Sequence, residues 1–375
     1  MTWRTRTRTQ ALPDCCTSPG LNTVTTLLST VFVLGVLIFV HELGHFLVAK
    51  WAGIKVERFS LGFPPKMIGK TVGETEYCLS WVPLGGYVKM AGENPEESEI
   101  TGDPREFMSK SVGTRFWVIA AGPLMNFVAA VLIFIGVLWL HGRDVPDPNS
   151  VIVGPVIEDG PADQVGIQSG DAILAVDHVP VDSFPQMASL IHARPGDSIW
   201  VAWERGEDLY SAKLQTMTDT VTTESGADSV IGLIGVGMGF RTEKVGLGEA
   251  IVGGVGQTFA ICGEMIKFLG RLASGGVSIK MVSGPVGIAR IAGQVAQEGW
   301  YVLLNFMAVL SLNLAILNIL PVPVLDGGHL LFHAYEAVTG RPPSDRALQV
   351  LMAGGLAAII TLMLFAITND IWLCP

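Results

Sequence analysis

The sequence LIFVHELGHFLVAK at residues 37–50 places His41, Glu42 and His45 at the end of an apolar run with no charge between Val24 and Val40. On a helix, residues four apart share a face, so the two histidines point to the same side. This HExxH pattern is typical of sites where two neutral imidazoles hold Zn²⁺ and the carboxylate takes a proton from water. Polar groups at a packed helix end are the alternative, but ionisable groups inside a membrane span are costly and usually functional.

The composition indicates that this segment belongs to a membrane protein. Of the 375 residues, 49% are apolar and 15% are charged, whereas soluble domains carry about 25% charged residues. Long uncharged runs predict a polytopic α-helical membrane protein with four transmembrane helices. The predicted spans are residues 21–48, 116–140, 300–326 and 347–368.

A further apolar segment, residues 245–272, is interrupted by Glu249, Gln257, Glu264 and Lys267. These polar interruptions favour an amphipathic helix that lies in the membrane interface. A fifth span is the alternative.

Charge and cysteine content argue against other classes of protein. The net charge is −10, and no basic stripe with interleaved aromatic residues is present, so we expect no nucleic-acid partner. The five cysteines are scattered and lack CxxC spacing, which predicts neither a disulfide framework nor a thiolate metal site.

The segments outside the spans differ in character. Residues 1–20 alternate arginine with threonine, which fits a disordered tail, a targeting leader or an upstream mis-start of the reading frame. Residues 49–115 carry nine Lys and Arg, which favours a cytoplasmic loop, and the partial alternation in TEYCLSWVPLGGYVKM predicts a β-hairpin. Residues 146–240 contain short β-type runs, turns and a short helical stretch, as in a small α+β domain.

A third metal ligand must reach the depth of the histidines. His41 lies about 26 Å into its span and Leu320 about 30 Å into the third, at 1.5 Å per residue. Two prolines break the helix there, which is tolerated only beside protein or a watery cavity. We therefore expect Asp326 to be the third ligand, with a turn at Gly327-Gly328 beyond it. His329 and His333 are the alternatives.

Four motifs together resemble the site-2 protease family of intramembrane zinc metalloproteases. They are HELGH, AGPLMNF in the second span, PLGGYVKM, and NILPVPVLDGGH in the third span. The likeness extends from about residue 24 to the C-terminus and is greatest to the bacterial branch similar to the regulator of sigma-E protease. Residues 146–240 resemble a single PDZ domain through GPA at 160–162, GI at 166–167 and GD at 170–171.

This resemblance implies roles for particular residues. His41, His45 and Asp326 would bind Zn²⁺, and Glu42 would be the general base. The remaining candidates would bind or orient the substrate: Asn318, Asn126, Gly85, Gly86 and Tyr87. The two asparagines could instead form hydrogen bonds between helices, and the two glycines could form an ordinary turn.

The resemblance also implies partners and a location. The substrates would be single-pass transmembrane proteins, such as anti-sigma factors or signal-peptide remnants, cut in regulated intramembrane proteolysis. A peptide or protein C-terminus would bind the PDZ-like domain. The protein would lie among the lipids of the bacterial inner membrane, with the PDZ-like domain in the periplasm and the active site near the cytoplasm.

Two rival functions make different demands on the sequence. A metal transporter would need ligands at several depths along a pore, whereas these candidates cluster at one depth. A catalytically inactive scaffold would have lost the base or a ligand, whereas Glu42 and three candidate ligands are present. The sequence therefore favours the protease.

Overall fold

The computed structural model describes residues 23–93, 101–222, 228–277 and 284–372. The chain divides into two compact units. One unit consists of the chain up to Leu140 together with the chain from Gly246, and the other is the inserted segment His141–Val245. The predicted tail at 1–20 lies outside the described residues.

The first half of the larger unit contains two long helices with a β-hairpin between them. Its elements are α1 (Thr23–Trp51), β1 (Val56–Val72), β2 (Thr75–Met90) and α2 (Val112–Leu140). The register of the antiparallel hairpin is irregular, because Ser60 lies opposite both Tyr87 and Cys78. The start of β1 therefore lies between two stretches of β2 and pairs with both. Within the described residues, β2 at 86–88 is paired with β1 alone.

The inserted unit is an α+β domain built mainly from short strands. Its elements are β3 (Arg143–Pro146), β4 (Val153–Val156), α3 (Pro161–Gln164), β5 (Ala172–Val176), β6 (Val179–Pro180), α4 (Phe184–His192), β7 (Ser198–Arg205), β8 (Asp208–Gln215), β9 (Met217–Thr222), β10 (Asp228–Leu233), β11 (Val236–Met238) and β12 (Phe240–Glu243). Strands β6, β5, β7 and β8 form one sheet in that order, and the pairs β9–β10, β4–β11 and β3–β12 complete the unit.

The core of the inserted unit consists of buried aliphatic residues such as Ile173, Met187 and Ile199. Buried Asp171 accepts a hydrogen bond of 2.7 Å from Nε of Arg205, and this guanidinium holds the pKa of the Asp171 carboxyl below its usual range. The β3–β12 pair sets Arg143 opposite Glu243. The two ends of the unit therefore lie side by side, as an insertion between two helices requires.

The second half of the larger unit contains helices and no strands among its described residues. Its elements are α5 (Leu247–Ala273), α6 (Pro285–Glu298), α7 (Trp300–Ile319), α8 (Asp326–Thr339) and α9 (Asp345–Trp372). The predicted third span at 300–326 is therefore too long, because α7 ends at Ile319. No pattern in the sequence was interpreted as predicting α6 or α8.

The prediction of four spans is confirmed among the described residues, where α1, α2, α7 and α9 are long and apolar enough to cross a membrane. Exposed tryptophans lie near the ends of three of these helices. Trp51 and Trp117 lie near the end of α1 and the start of α2, and Trp139 and Trp300 near the end of α2 and the start of α7. Such residues are typical of the two membrane–water interfaces.

Helix α5 packs along α2 instead of lying beyond its end. Phe259 contacts Phe127, midway along α2, with ring centroids 5.8 Å apart. Five residues before Phe259, Gly254 faces Ile135. Three residues after Phe259, Cys262 packs on the apolar cluster formed by α2 and α7. These contacts place part of α5 beside the membrane-spanning stretch of α2, so the expected position in the interface plane does not describe the whole helix.

We predict that Gly254→Ala destabilises the protein by about 1–3 kcal/mol, because the added Cβ would lie 2.6 Å from Ile135 Cγ1 and 2.8 Å from its backbone nitrogen. Gly256→Ala is the matched control on the same helix, since its Cβ would meet nothing within 4 Å. The measurement is the midpoint of thermal unfolding in detergent. Equal midpoints for the two variants would contradict this packing.

Candidate metal centre and active site

The two histidines of HELGH lie on the buried side of α1. His41 is 9% and His45 is 7% exposed. Their Nε2 atoms are 3.3 Å apart, and the rings meet edge to face. The i, i+4 spacing on a helix produces this arrangement, which turns both ring nitrogens toward one point.

Asp326, the first residue of α8, completes the cluster. Its Oδ2 lies 3.1 Å from Nε2 of His41 and 3.7 Å from Nε2 of His45. Within the described residues, these three side chains form the only group of three His, Cys, Asp or Glu with converging donor atoms. His329 and His333, the alternative third ligands, are not part of it.

The cluster has the properties of a divalent cation site. The Asp326 Oδ2 atom is buried and has no hydrogen-bond partner, and neutral imidazoles that offer lone pairs cannot supply one. Ligand atoms around a tetrahedral zinc ion with bonds of about 2.0–2.1 Å lie roughly 3.3 Å apart. The observed separations of 3.1, 3.3 and 3.7 Å fit this value.

A break in the helical backbone brings Asp326 to this position. Helix α7 ends at Ile319, and the following segment contains Val324 with a backbone φ of +90°, which is strained for a β-branched residue. The predicted turn at Gly327-Gly328 is wrong, because both glycines lie in the first turn of α8. They are needed for close packing. A Cβ on Gly327 would lie 2.1 Å from the Leu320 carbonyl oxygen.

Helix α2 supports both histidines from the other side. Nδ1 of His45 lies 2.8 Å from the Val118 carbonyl oxygen, so the Nδ1–H donates there and leaves Nε2 free for a metal. The Asn126 amide lies 3.3 Å from Nδ1 of His41, and its Oδ1 has no partner. A half-turn of this amide lets Oδ1 accept the Nδ1–H of His41. The hydroxyl of Ser311 on α7 donates a hydrogen bond of 2.8 Å to the backbone carbonyl oxygen of Asn126.

Two glycines permit this close contact between α1 and α2. A Cβ on Gly44 would lie 2.3 Å from the Ala121 carbonyl oxygen, and a Cβ on Gly122 would lie 2.2 Å from Nε2 of His45. Small residues at helix crossings let membrane helices approach closely. The role of the Val118 carbonyl has no signal in the sequence, because every residue carries a backbone carbonyl.

Glu42 faces the end of the hairpin. It is half-buried, and a Cβ on Gly86 would lie 2.9 Å from its Cγ. Gly86 thus lets strand β2 pass directly beside the predicted base. Gly85 lies next to the ring of Phe63.

The other two predicted substrate residues in this region are Tyr87 on β2 and Asn318 on α7. The hydroxyl of Tyr87 accepts a hydrogen bond of 3.1 Å from Arg58 Nη1, which ties that side chain to the sheet. Asn318 is half-buried on the last turn of α7, eight residues before Asp326 in the chain. Asn126, as described above, contacts a histidine.

Comparisons with known proteins agree with this geometry. Residues 29–362 match the model of peptidase family M50. The zinc metalloprotease RasP of Geobacillus kaustophilus is 32% identical, and the match covers 94% of this chain and 99% of that protein. A protein of Agrobacterium fabrum that is provisionally named a zinc metalloprotease is 37% identical, with 91% and 94% coverage. The chain therefore belongs to peptidase family M50, the site-2 proteases, and is a zinc metalloprotease.

Solved structures match a smaller part of the chain. The PDZ domain of an SdrC-like protein from Listeria monocytogenes is 23% identical over 24% of this chain and 87% of that one, with a TM-score of 0.19. The corresponding domain from Listeria innocua is 24% identical over 26% of this chain and 99% of that one, also with a TM-score of 0.19.

We predict that Gly122→Ala lowers zinc affinity at least 10-fold, because the added Cβ would displace the metal-binding edge of His45. Gly136→Ala, about four helical turns away on α2 with open space around it, is the control and should bind zinc like the wild type. Affinity is measured by competition with a chromophoric chelator. A Gly122→Ala protein with unchanged affinity would refute the proximity of α2 to the metal ligands.

Proposed function

We propose that this zinc metalloprotease hydrolyses a peptide bond within the transmembrane segment of single-pass membrane proteins. The observation that carries the proposal is the convergence of Asp326 with His41 and His45, which lie with Glu42 on α1, a helix apolar enough to span a membrane. A soluble substrate would not reach such a site, whereas the transmembrane helix of another protein lies at the same depth.

In this proposal His41, His45 and Asp326 bind the zinc ion and Glu42 is the general base. When bound, zinc supplies a Lewis acid that activates water and polarises the peptide carbonyl. Glu42 accepts a proton from the attacking water and passes it to the leaving amine, since a carboxylate on the adjacent helix position can reach both. Val118 and Asn126 hold the two imidazoles in the orientation that leaves Nε2 toward the ion.

The substrate would bind as an extended strand along β2 at 86–88. A peptide bond inside a helix is shielded, and adding a strand to a free sheet edge supplies backbone partners to the unwound segment. Two observations support this. Among the described residues, β2 at 86–88 is paired with β1 alone, and it passes Glu42 at Gly86. An apolar cavity of about 360 Å³ lies between α1 and the hairpin and is lined by residues such as Phe32, Phe39 and Gly85.

The hairpin would enter the membrane to meet the substrate. Its distal part exposes apolar side chains, among them Phe63, Ile68 and Trp81, which are costly in water and stabilising in lipid. Asn318, at the end of α7, would contact the substrate strand near the zinc ion. Asn126 would act on His41 and not directly on the substrate.

The inserted unit His141–Val245 would select or regulate substrates as a PDZ-like domain that binds a peptide or protein C-terminus. We place it on the periplasmic side of a bacterial inner membrane and the active site near the cytoplasm. The basic residues at the end of α1 and in the following loop, such as Lys50 and Arg105, support this orientation. Anti-sigma factors and signal-peptide remnants are the proposed substrate class, in regulated intramembrane proteolysis.

We predict that Glu42→Gln abolishes cleavage of a transmembrane model substrate and retains about one zinc ion per chain. The amide cannot accept the proton of the attacking water, whereas the three ligands are unchanged. The measurements are zinc content after dialysis and cleavage in detergent, and Glu264→Gln at an exposed position of α5 is the control for the same chemical change. Loss of zinc from Glu42→Gln would make Glu42 a ligand and contradict its role as base.

A further inference from the structure

The position of Asp326 depends on how α8 is held. The chain between Ile319 and Asp326 is not helical and includes the strained Val324. Strained backbone persists only where the surrounding structure determines it from several sides. The connection to α7 therefore cannot fix the carboxylate by itself, and contacts of α8 with its neighbours must do so.

One such contact is a buried ion pair between α8 and α2. Nη2 of Arg115 donates a hydrogen bond of 2.8 Å to Oε1 of Glu336. The two side chains are only 6% and 16% exposed. Nη1 of Arg115 lies 3.7 Å from the Met108 sulfur, and His333 lies 3.8 Å from the second Glu336 oxygen. The pair is enclosed, so its attraction is weakly screened.

This ion pair joins α8, which carries Asp326, to α2, which contacts both histidines. Glu336 follows Asp326 by ten residues on α8, or about 15 Å along the axis. Arg115 precedes Gly122 by seven residues on α2. Helix α2 also holds both histidines, through Val118 and Asn126. The same helix is thus the common reference for all three ligands.

We infer that the Arg115–Glu336 pair positions the metal ligand Asp326 by fixing α8 on α2. The inference rests on the ligand set proposed above and adds two positioning residues that do not touch the metal. If one partner loses its charge, the other is left buried without compensation. The helix would then shift or tilt to expose it, and Asp326 would leave the position that completes the site.

The test measures metal binding by the full-length protein in detergent. Glu336→Gln removes the charge with little change in shape, and Glu336→Asp keeps the charge but shortens the side chain. Glu264→Gln is the matched control. Glu264 pairs with Lys267 on α5, and both of these side chains are more than half exposed. The readouts are zinc affinity by chelator competition and the absorption spectrum of the Co²⁺-substituted protein, which reports the ligand set.

We expect Glu336→Gln to lower zinc affinity about 10–100-fold, the range for changes that act through a ligand, with a smaller loss in Glu336→Asp. The Co²⁺ spectrum of Glu336→Gln should change, while Glu264→Gln should match the wild type in both readouts. A double variant, Arg115→Met with Glu336→Met, should recover part of the affinity, because buried pairs can be replaced by apolar side chains of similar volume.

Other outcomes would overturn the inference. They are a zinc affinity of Glu336→Gln within twofold of the wild type, or an unchanged Co²⁺ spectrum. Failure of both Glu336 variants to give folded protein, with Glu264→Gln normal, would show that the pair maintains the whole fold and does not specifically position Asp326. Absence of zinc from the wild type would instead refute the ligand set itself, which distinguishes the two failures.

Discussion

Two buried imidazoles and a half-buried carboxylate, all of which offer lone pairs, converge at one point in this protein, and the rest of the structure depends on that constraint. His41 and His45 on α1 and Asp326 on α8 cannot satisfy one another by hydrogen bonds when both histidines carry their proton on Nδ1. Leaving such groups buried without a partner is costly. A divalent cation removes the cost, and membership in peptidase family M50 identifies that cation as zinc.

The surrounding helices accommodate the site through small residues at its closest contacts. Gly44 and Gly122 let α1 and α2 touch, Gly86 lets the hairpin pass Glu42, and Gly327 lets α8 begin against the end of α7. In a membrane, apolar side chains gain little by leaving lipid, so close packing and hydrogen bonds hold helices together. The glycines of the four motifs therefore serve the metal site by permitting approach, in addition to any freedom they give the backbone.

The sequence alone predicted the features that depend on periodicity and composition. The four spans and the shared face of His41 and His45 follow from apolar runs and helical spacing, and depth matching pointed to Asp326. The sequence alone did not predict the features that depend on tertiary packing. The Gly327-Gly328 pair indicated a turn, but its role is to fit the first turn of α8 against carbonyl oxygens. The Arg115–Glu336 pair and the Val118 carbonyl join segments far apart in the chain, and no local pattern reports them.

The most direct test of this account is the zinc content of three purified proteins after dialysis: the wild type, Asp326→Ala and His329→Ala. Because a tight zinc site needs at least three protein ligands, the account predicts about one zinc per chain in the wild type and in His329→Ala, and almost none in Asp326→Ala. Full zinc content in Asp326→Ala together with loss in His329→Ala would contradict the ligand set and the meeting of α1 with α8.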